Sequence, residues 1–435
     1  MKYAETIDYL YGLQKFGMKF GLDNIRLLLS ALDNPERSFR SIHVAGTNGK
    51  GSTAAMIESI LRTCTVTTGL FTSPHLVSFT ERIRINGREI PEDDVIALAD
   101  HIRWVADRIG DFSPTFFEVV TAMAFQYFRN RGVDWAVIET GMGGRLDATN
   151  VILPETAVIT SIGVDHTDFL GNTLTKIAEE KTGILKQNVP VISAEQIPEV
   201  ADVLIRKAAS SNAQVVFYDA HFSSEMVSCE HNGICFNYSG SSAYRNIKLP
   251  LSGEFQMVNA SLAAKTIEVV SKKYAGMNCD IRQGLEQVQW EGRLDMIKND
   301  PAILVDGAHN PPAARELAHY LQQKLTKECQ RIILIIGIMG DKNVGDILAP
   351  LLPLSSEIIF VSPAYERAAS CKLLADTAAS MGYSSQQALS VIDGIHRAES
   401  LYRPGDLIVI TGSFYTIGEA KEALFNKGIL SRLRE

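Results

Sequence analysis

The stretch "SIHVAGTNGKGSTAAMIESIL", residues 41–61, decides the fold. A β-branched apolar run leads into glycines around Lys50, and then into a helix-forming run opened by Ser52 and Thr53. Strand, glycine turn and helix start together predict a phosphate site. Backbone N–H groups and the positive helix end both favour an anion there, and the lysine adds a point charge. Gly46, Gly49 and Gly51 let the backbone approach phosphates without a Cβ in the way. The strict Walker spacing is not met, because Val44 stands where the first glycine belongs and Gly51 separates Lys50 from Ser52. A plain glycine turn is the alternative, and the phosphate reading is favoured over it.

Outward from this loop, short apolar runs alternate with helical patterns. "SIHVAG", "DWAVIET", "ETAVITSI" and "VPVISAE" read as strands, and "TFFEVVTAMAFQYFRNRG" as a helix between them. Near-continuous apolar strands bounded by helices predict a parallel sheet covered on both faces. "AQVVFYDAHFSSEMVSCEHNGICFNYSG" reads as an antiparallel interruption. A second α/β series then follows, with strands at "AILVD", "RIILIIGI", "EIIFVSP", "LSVID" and "DLIVITGS". The polar break at Lys298, Asn299, Asp300 and Pro301 marks the expected boundary, giving domains 1–296 and 297–435 with a cleft between them.

Composition narrows the function. The 435 residues exceed one ordinary core. A net charge of -8 provides no global field for nucleic acid or an anionic membrane, so a polyanionic substrate must meet local cations. No run is long enough to span a membrane, and the N-terminal stretch lacks an apolar signal core, so a cytoplasmic protein is expected. The six cysteines are scattered without a CxxC pair, which fits a reducing compartment better than a disulfide framework. Cys229, His231 and Cys235 in "CEHNGIC" read as a hairpin turning at Asn232 and Gly233 rather than a metal site.

A second constellation lies downstream: Ser73 and His75 in "LFTSPHL", Glu139, Arg145 and Asp147 in "AVIETGMGGRLDATN", and Asp165, His166 and Asp168 in "ITSIGVDHTDFLG". Glu139 and His166 each follow an apolar strand, and the carboxyl ends of parallel strands face the ligand crevice. Ser73 and Glu139 suit magnesium, which takes oxygen ligands alongside phosphate oxygens. Imidazole is an unusual magnesium ligand, so the residues alone leave His166 as either a general base or a structural histidine.

These stretches together resemble the folylpolyglutamate synthase family, in particular its bifunctional dihydrofolate synthase/folylpolyglutamate synthase members. The motifs are "HVAGTNGKGS", "SPHL", "ERIRINGREI", "TFFE", "ETGMGGRLDATN", "GVDHTDFLG", "IAEEKTGILK", "GRLD", "DGAHNP" and "TGSFYTIGE", in family order over nearly the whole chain. The resemblance implies a Mur-ligase-like α/β architecture, with a P-loop NTPase-type N-terminal domain and a smaller Rossmann-like C-terminal domain. It implies a monomeric ATP-dependent amide ligase adding L-glutamate to dihydropteroate and to folates through an acyl phosphate. Asn48, Gly49, Lys50 and Gly51 would hold the ATP phosphates, with Asn259, Arg293 and Asp306 completing the nucleotide site. Ser73, Glu139, His166 and a carbamylated Lys181 would ligate Mg2+. Lys50, Lys181 and His309 would serve catalysis. Thr115, Phe116, Phe117, Glu118, Leu146, Asp147 and Ala148 would contact the pterin substrate. The chain departs from the family pattern at Lys176, Thr182, Phe255 and Glu291. Rival readings are a folate-elongating enzyme alone, a Mur-type ligase of another substrate, and a nucleotide switch without ligation.

Overall fold

The computed structural model describes residues 2–16, 21–110, 112–230, 232–274 and 276–425. Eight strands form the first sheet: β1 (Arg40–Ala45), β2 (Thr68–Phe71), β3 (Ile83–Ile85), β4 (Arg88–Glu89), β5 (Trp135–Glu139), β6 (Thr156–Ile159), β7 (Val191–Ser193) and β8 (Val215–Phe217). Their order is β4-β3-β2-β5-β1-β6-β7-β8, parallel except for the β3–β4 edge. β1 is therefore central, flanked by β5 and β6, and the phosphate loop leaves its carboxyl end at a topological switch point.

Both faces of this sheet are covered, which is why its strands are apolar almost throughout. Ile42, Val44 and Val137 pack with the helices Lys50–Leu61 and Phe255–Lys273. Ala54, Ala55, Ala260, Ala263 and Ala264 belong to the same cluster, and such small side chains let the two helices approach closely. Ala136 and Ile138, which point the other way along β5, pack with the helix Phe116–Asn130. The phosphate-loop helix begins at Lys50, two residues before the serine expected to open it.

β9 (Ser223–Glu230), β10 (Gly233–Ser239) and β11 (Ala243–Leu249) make the antiparallel interruption. The β9–β10 turn falls at the expected Asn232 and Gly233, while His231 lies outside the described residues. No group of three or more His, Cys, Asp or Glu side chains among the described residues could hold a metal ion by itself.

The second sheet contains β12 (Asp295–Asn299), β13 (Ala302–Val305), β14 (Arg331–Ile336), β15 (Glu357–Phe360), β16 (Gln386–Gln387) and β17 (Asp406–Thr411), in the order β12-β13-β17-β14-β15-β16. Only β12 runs antiparallel. The helix Pro311–Lys327 covers one face, and the helices Val391–Leu401 and Phe414–Phe425 the other.

Three expectations need correction. The polar break at residues 298–301 is the turn of the β12–β13 hairpin, so the expected boundary at 296/297 falls inside a strand of the second sheet. The chain crosses earlier, around residues 291–294. There Lys421 holds both Glu291 (2.6 Å) and Asp295 (3.1 Å). "LSVID" is not a strand. Ser390 accepts from the Asp393 N–H, and Asp393 accepts from the Leu389 N–H, a reciprocal cap that starts a helix. Finally, Cys64 and Cys279 are joined in a disulfide, with Cα atoms 4.7 Å apart across a separation of 215 residues. The thiols of Cys229, Cys235, Cys329 and Cys371 are free.

Candidate active site

The phosphate loop is anchored by its neighbour after β6. Thr47 and Asn48 donate their backbone N–H groups to Ser161 O, and Thr47 exchanges hydrogen bonds with Gly163. These contacts fix the first half of the loop. The amides at the start of the helix Lys50–Leu61 precede the first intrahelical bond and are the ones an anion can take. Lys50 Nζ lies back on Thr47 O at 3.1 Å. Gly49 adopts φ +87° against Asn259, whose amide is held by Gln256 at 3.0 Å. Gln256 also reaches Ser52 Oγ (3.4 Å), so that hydroxyl is buried in the helix packing.

Glu139 ends β5 at the edge of this loop, and its Oε2 accepts the Ser73 N–H at 3.1 Å. Burial pushes its carboxyl up to about 7, against the opposing pull of Lys50 and Arg293. Lys181 is buried at the end of the helix Leu174–Lys181 and donates to Gly46 O at 2.7 Å. Burial, reinforced by Lys50, brings its amine down to about 7. His166 sits in left-handed backbone (φ +50°) after β6, and burial lowers its imidazole so that it is neutral. The ring can therefore act as a ligand.

The second sheet closes the site. Asp306 follows β13 and accepts N–H groups from Leu294 and Ala308, both at 2.9 Å. Arg293 lies beside it, half-buried, with its guanidinium over the Phe414 ring at 4.4 Å. His309 bonds Gly307 O through Nδ1 and turns Nε2 toward Asp165, 3.5 Å away.

On the other flank, Thr115 and Glu118 form a capping box: Glu118 accepts from the Thr115 N–H (2.7 Å) and hydroxyl (3.0 Å). Their polar atoms are engaged with each other, and what they do is fix Phe116 and Phe117 at the helix start. Phe116 stacks on Tyr11, while Phe117 packs near Phe71 and over Gly141. Asp147 is similarly engaged, capping Met142 N and Thr149 N, and it positions Leu146 and Ala148. The residues assigned to nucleotide, metal, substrate and catalysis all line one cavity of about 1790 Å³ between the two sheets, whereas His75, buried against Arg82, and Asp168 do not.

Comparison with known proteins agrees with this geometry. The model of the Mur ligase middle domain matches residues 44–267, and that of the Mur ligase glutamate ligase domain matches residues 292–414. A Bacillus subtilis dihydrofolate synthase/folylpolyglutamate synthase is 35% identical over 97% of this chain and 99% of its own. The chain belongs to the folylpolyglutamate synthase family of Mur ligases. The Mycobacterium tuberculosis folylpolyglutamate synthase complexed with ADP superposes with a TM-score of 0.90 at 33% identity, covering 98% of this chain and 99% of that one. E. coli FolC in complex with DHPP and ADP gives 0.87 at 28% identity, covering 98% of each. The family and fold expected from the motifs are both borne out.

Sequence reasoning missed part of this family member's cleft. Asp165 was named, but its partners Asn310 and Lys342, which meet it at the seam between the sheets, were not, nor was Gln256, which braces Asn259. Lys342 belonged to no motif. Its signal was position, since "GDKN" follows β14 at the carboxyl end of a parallel strand.

Proposed function

We propose that this chain is an ATP-dependent ligase that joins L-glutamate to dihydropteroate and to folates. The observation that carries the reading is the shared cavity. It is too large for one small ligand, and a phosphate loop, an aromatic flank and a second domain all open into it. ATP activates the substrate carboxylate as an acyl phosphate, and the glutamate amine displaces phosphate to form the amide. Phosphoryl transfer depends on positioning and electrostatics, so the roles follow from charge. Lys50 swings from Thr47 O to the phosphates. Arg293, facing the charges of Asp306 and Glu139, offsets charge developing on the transferred group. The helix-start amides orient the phosphates, and Phe116 and Phe117 flank the flat heterocycle. His309 acts from the C-terminal side, on the nucleotide or the incoming glutamate.

The donor set at Ser73 and Glu139 fits Mg2+, which commonly takes one carboxylate and shares the nucleotide's phosphate oxygens. His166 and a carbamate on Lys181 would complete it. Bound there, the ion supplies positive charge to the phosphate oxygens. An exposed lysine would stay a solvated ammonium. Lys181 is buried beside another cation, where an anionic carbamate oxygen is the better occupant. The remaining reading is a cytoplasmic monomer, with its first domain activating the carboxylate.

A product assay with ATP, Mg2+, glutamate and either dihydropteroate or tetrahydrofolate tests this. Glutamylated product from both acceptors is expected. Product from tetrahydrofolate alone reduces the enzyme to folate elongation. ADP release indifferent to acceptor and glutamate would overturn ligation altogether.

A further inference from the structure

Asn310 is 1% exposed, and all four of its side-chain hydrogen-bonding positions are in use. Its Nδ2 donates to Asn48 Oδ1 (2.9 Å) and Asp165 Oδ2 (3.0 Å). Its Oδ1 accepts from Asn48 Nδ2 (3.2 Å) and, as helix N-cap, from Ala313 N (3.0 Å). One amide of the second domain thus grips the phosphate loop, the loop after β6 and its own helix at once. Asp165 completes the junction, accepting from Lys342 Nζ (2.6 Å) and His166 N (2.9 Å), with His309 Nε2 at 3.5 Å. The backbones are equally close, since a Cβ on Gly163 would lie 3.0 Å from Pro312.

We propose that Asn310 and Asp165 are positioning residues that latch the C-terminal domain onto the phosphate loop, so that seating of the second domain and alignment of the loop are one event. This rests on the ligase reading for its consequence: an acyl phosphate is safe from water only while the domain that presents the amine is docked. Asn48 is then part of the latch through its side chain. The fully matched donors and acceptors explain why an amide stands at position 310. A carboxylate there would keep the helix cap but face Asp165 and Asn48 with no proton to give.

Asn310→Asp is therefore the discriminating variant, with Asn310→Ser as its uncharged companion that also keeps a capping oxygen. For Asn310→Asp, ligation kcat falls at least about tenfold while KM for ATP stays within about threefold. Small-angle scattering of the full chain with AMPPCP and Mg2+ shows a larger radius of gyration than wild type. Adding Asp165→Asn exchanges the amide and the carboxylate, and recovers at least about threefold in kcat over Asn310→Asp alone. An unchanged radius in Asn310→Asp, or losses that simply multiply in the double variant, overturns the latch. A wild-type chain that makes no amide product would sink the ligase reading, and the scattering comparison would still decide the latch.

Discussion

Gly49 and Asn259 are in direct contact: a Cβ built on the glycine would lie 2.4 Å from the asparagine Oδ1. The helix Phe255–Lys273 thus presses on the phosphate loop at the residue whose φ of +87° only glycine adopts freely. Gly49→Ala must displace Asn259 and strain the turn, at about 1–2 kcal/mol for the backbone alone. Calorimetric titration with ADP is expected to show affinity reduced at least about tenfold, with the far-ultraviolet dichroism unchanged.

Lys181 yields a test independent of turnover. Its amine is buried against Gly46 O. Protein exchanged into isotopically labelled bicarbonate should give one carbamate carbon resonance, absent from Lys181→Met. A wild-type spectrum without that resonance would exclude the modification.

Thr115 separates a structural role from a binding one. Thr115→Ala removes the capping oxygen that Glu118 N uses, and leaves Glu118 without its hydroxyl partner. The expected loss is about 1 kcal/mol of stability by denaturant titration. KM for the pterin substrate should rise only as far as Phe116 and Phe117 lose their fixed position.

His43 sets an acid limit. It is fully buried in β1, hydrogen-bonded to Thr149 Oγ1 at 2.8 Å, and burial lowers its pKa from 6.5 to about 3. The unfolded chain therefore binds a proton that the native state refuses. This contribution to stability is complete above pH 6.5 and is lost as pH falls toward 3, by about 2 kcal/mol over the first one and a half units. His75, buried against Arg82, acts in the same direction. Denaturant midpoints taken between neutral and mildly acidic pH should fall less steeply in His43→Gln than in wild type. Parallel slopes would refute the assignment.

The parts of the fold legible in the sequence were those written locally. Apolar strands, the glycines at 46, 49 and 51, and the strand-end positions of Glu139 and His166 are all read from a few neighbouring residues. What stayed hidden depends on distance or competition. Lys342 meets Asp165 across 177 residues, and Asn310 meets Asn48 across 262, and no spacing rule connects them. Asp300 and Pro301 announced a turn correctly, but a turn signal cannot say whether it ends a domain or closes a hairpin. In "LSVID" the β-branched run competed with the Ser390–Asp393 cap, and the cap won. Thr115, Glu118 and Asp147 show a further limit. The motif located them, while only the geometry reveals that their polar atoms are engaged with their own backbone neighbours.

The chain passes from one sheet to the other a single time among the described residues, near residue 292, and never returns. Each half is thus a continuous stretch of the polypeptide, tied to the other by one crossing and by noncovalent contacts. Exchange of the whole second half between relatives needs only one joint in the gene. The contacts at Asn48, Asp165 and Glu254, which Gln323 reaches at 2.9 Å, would then decide which exchanges still assemble a working cleft.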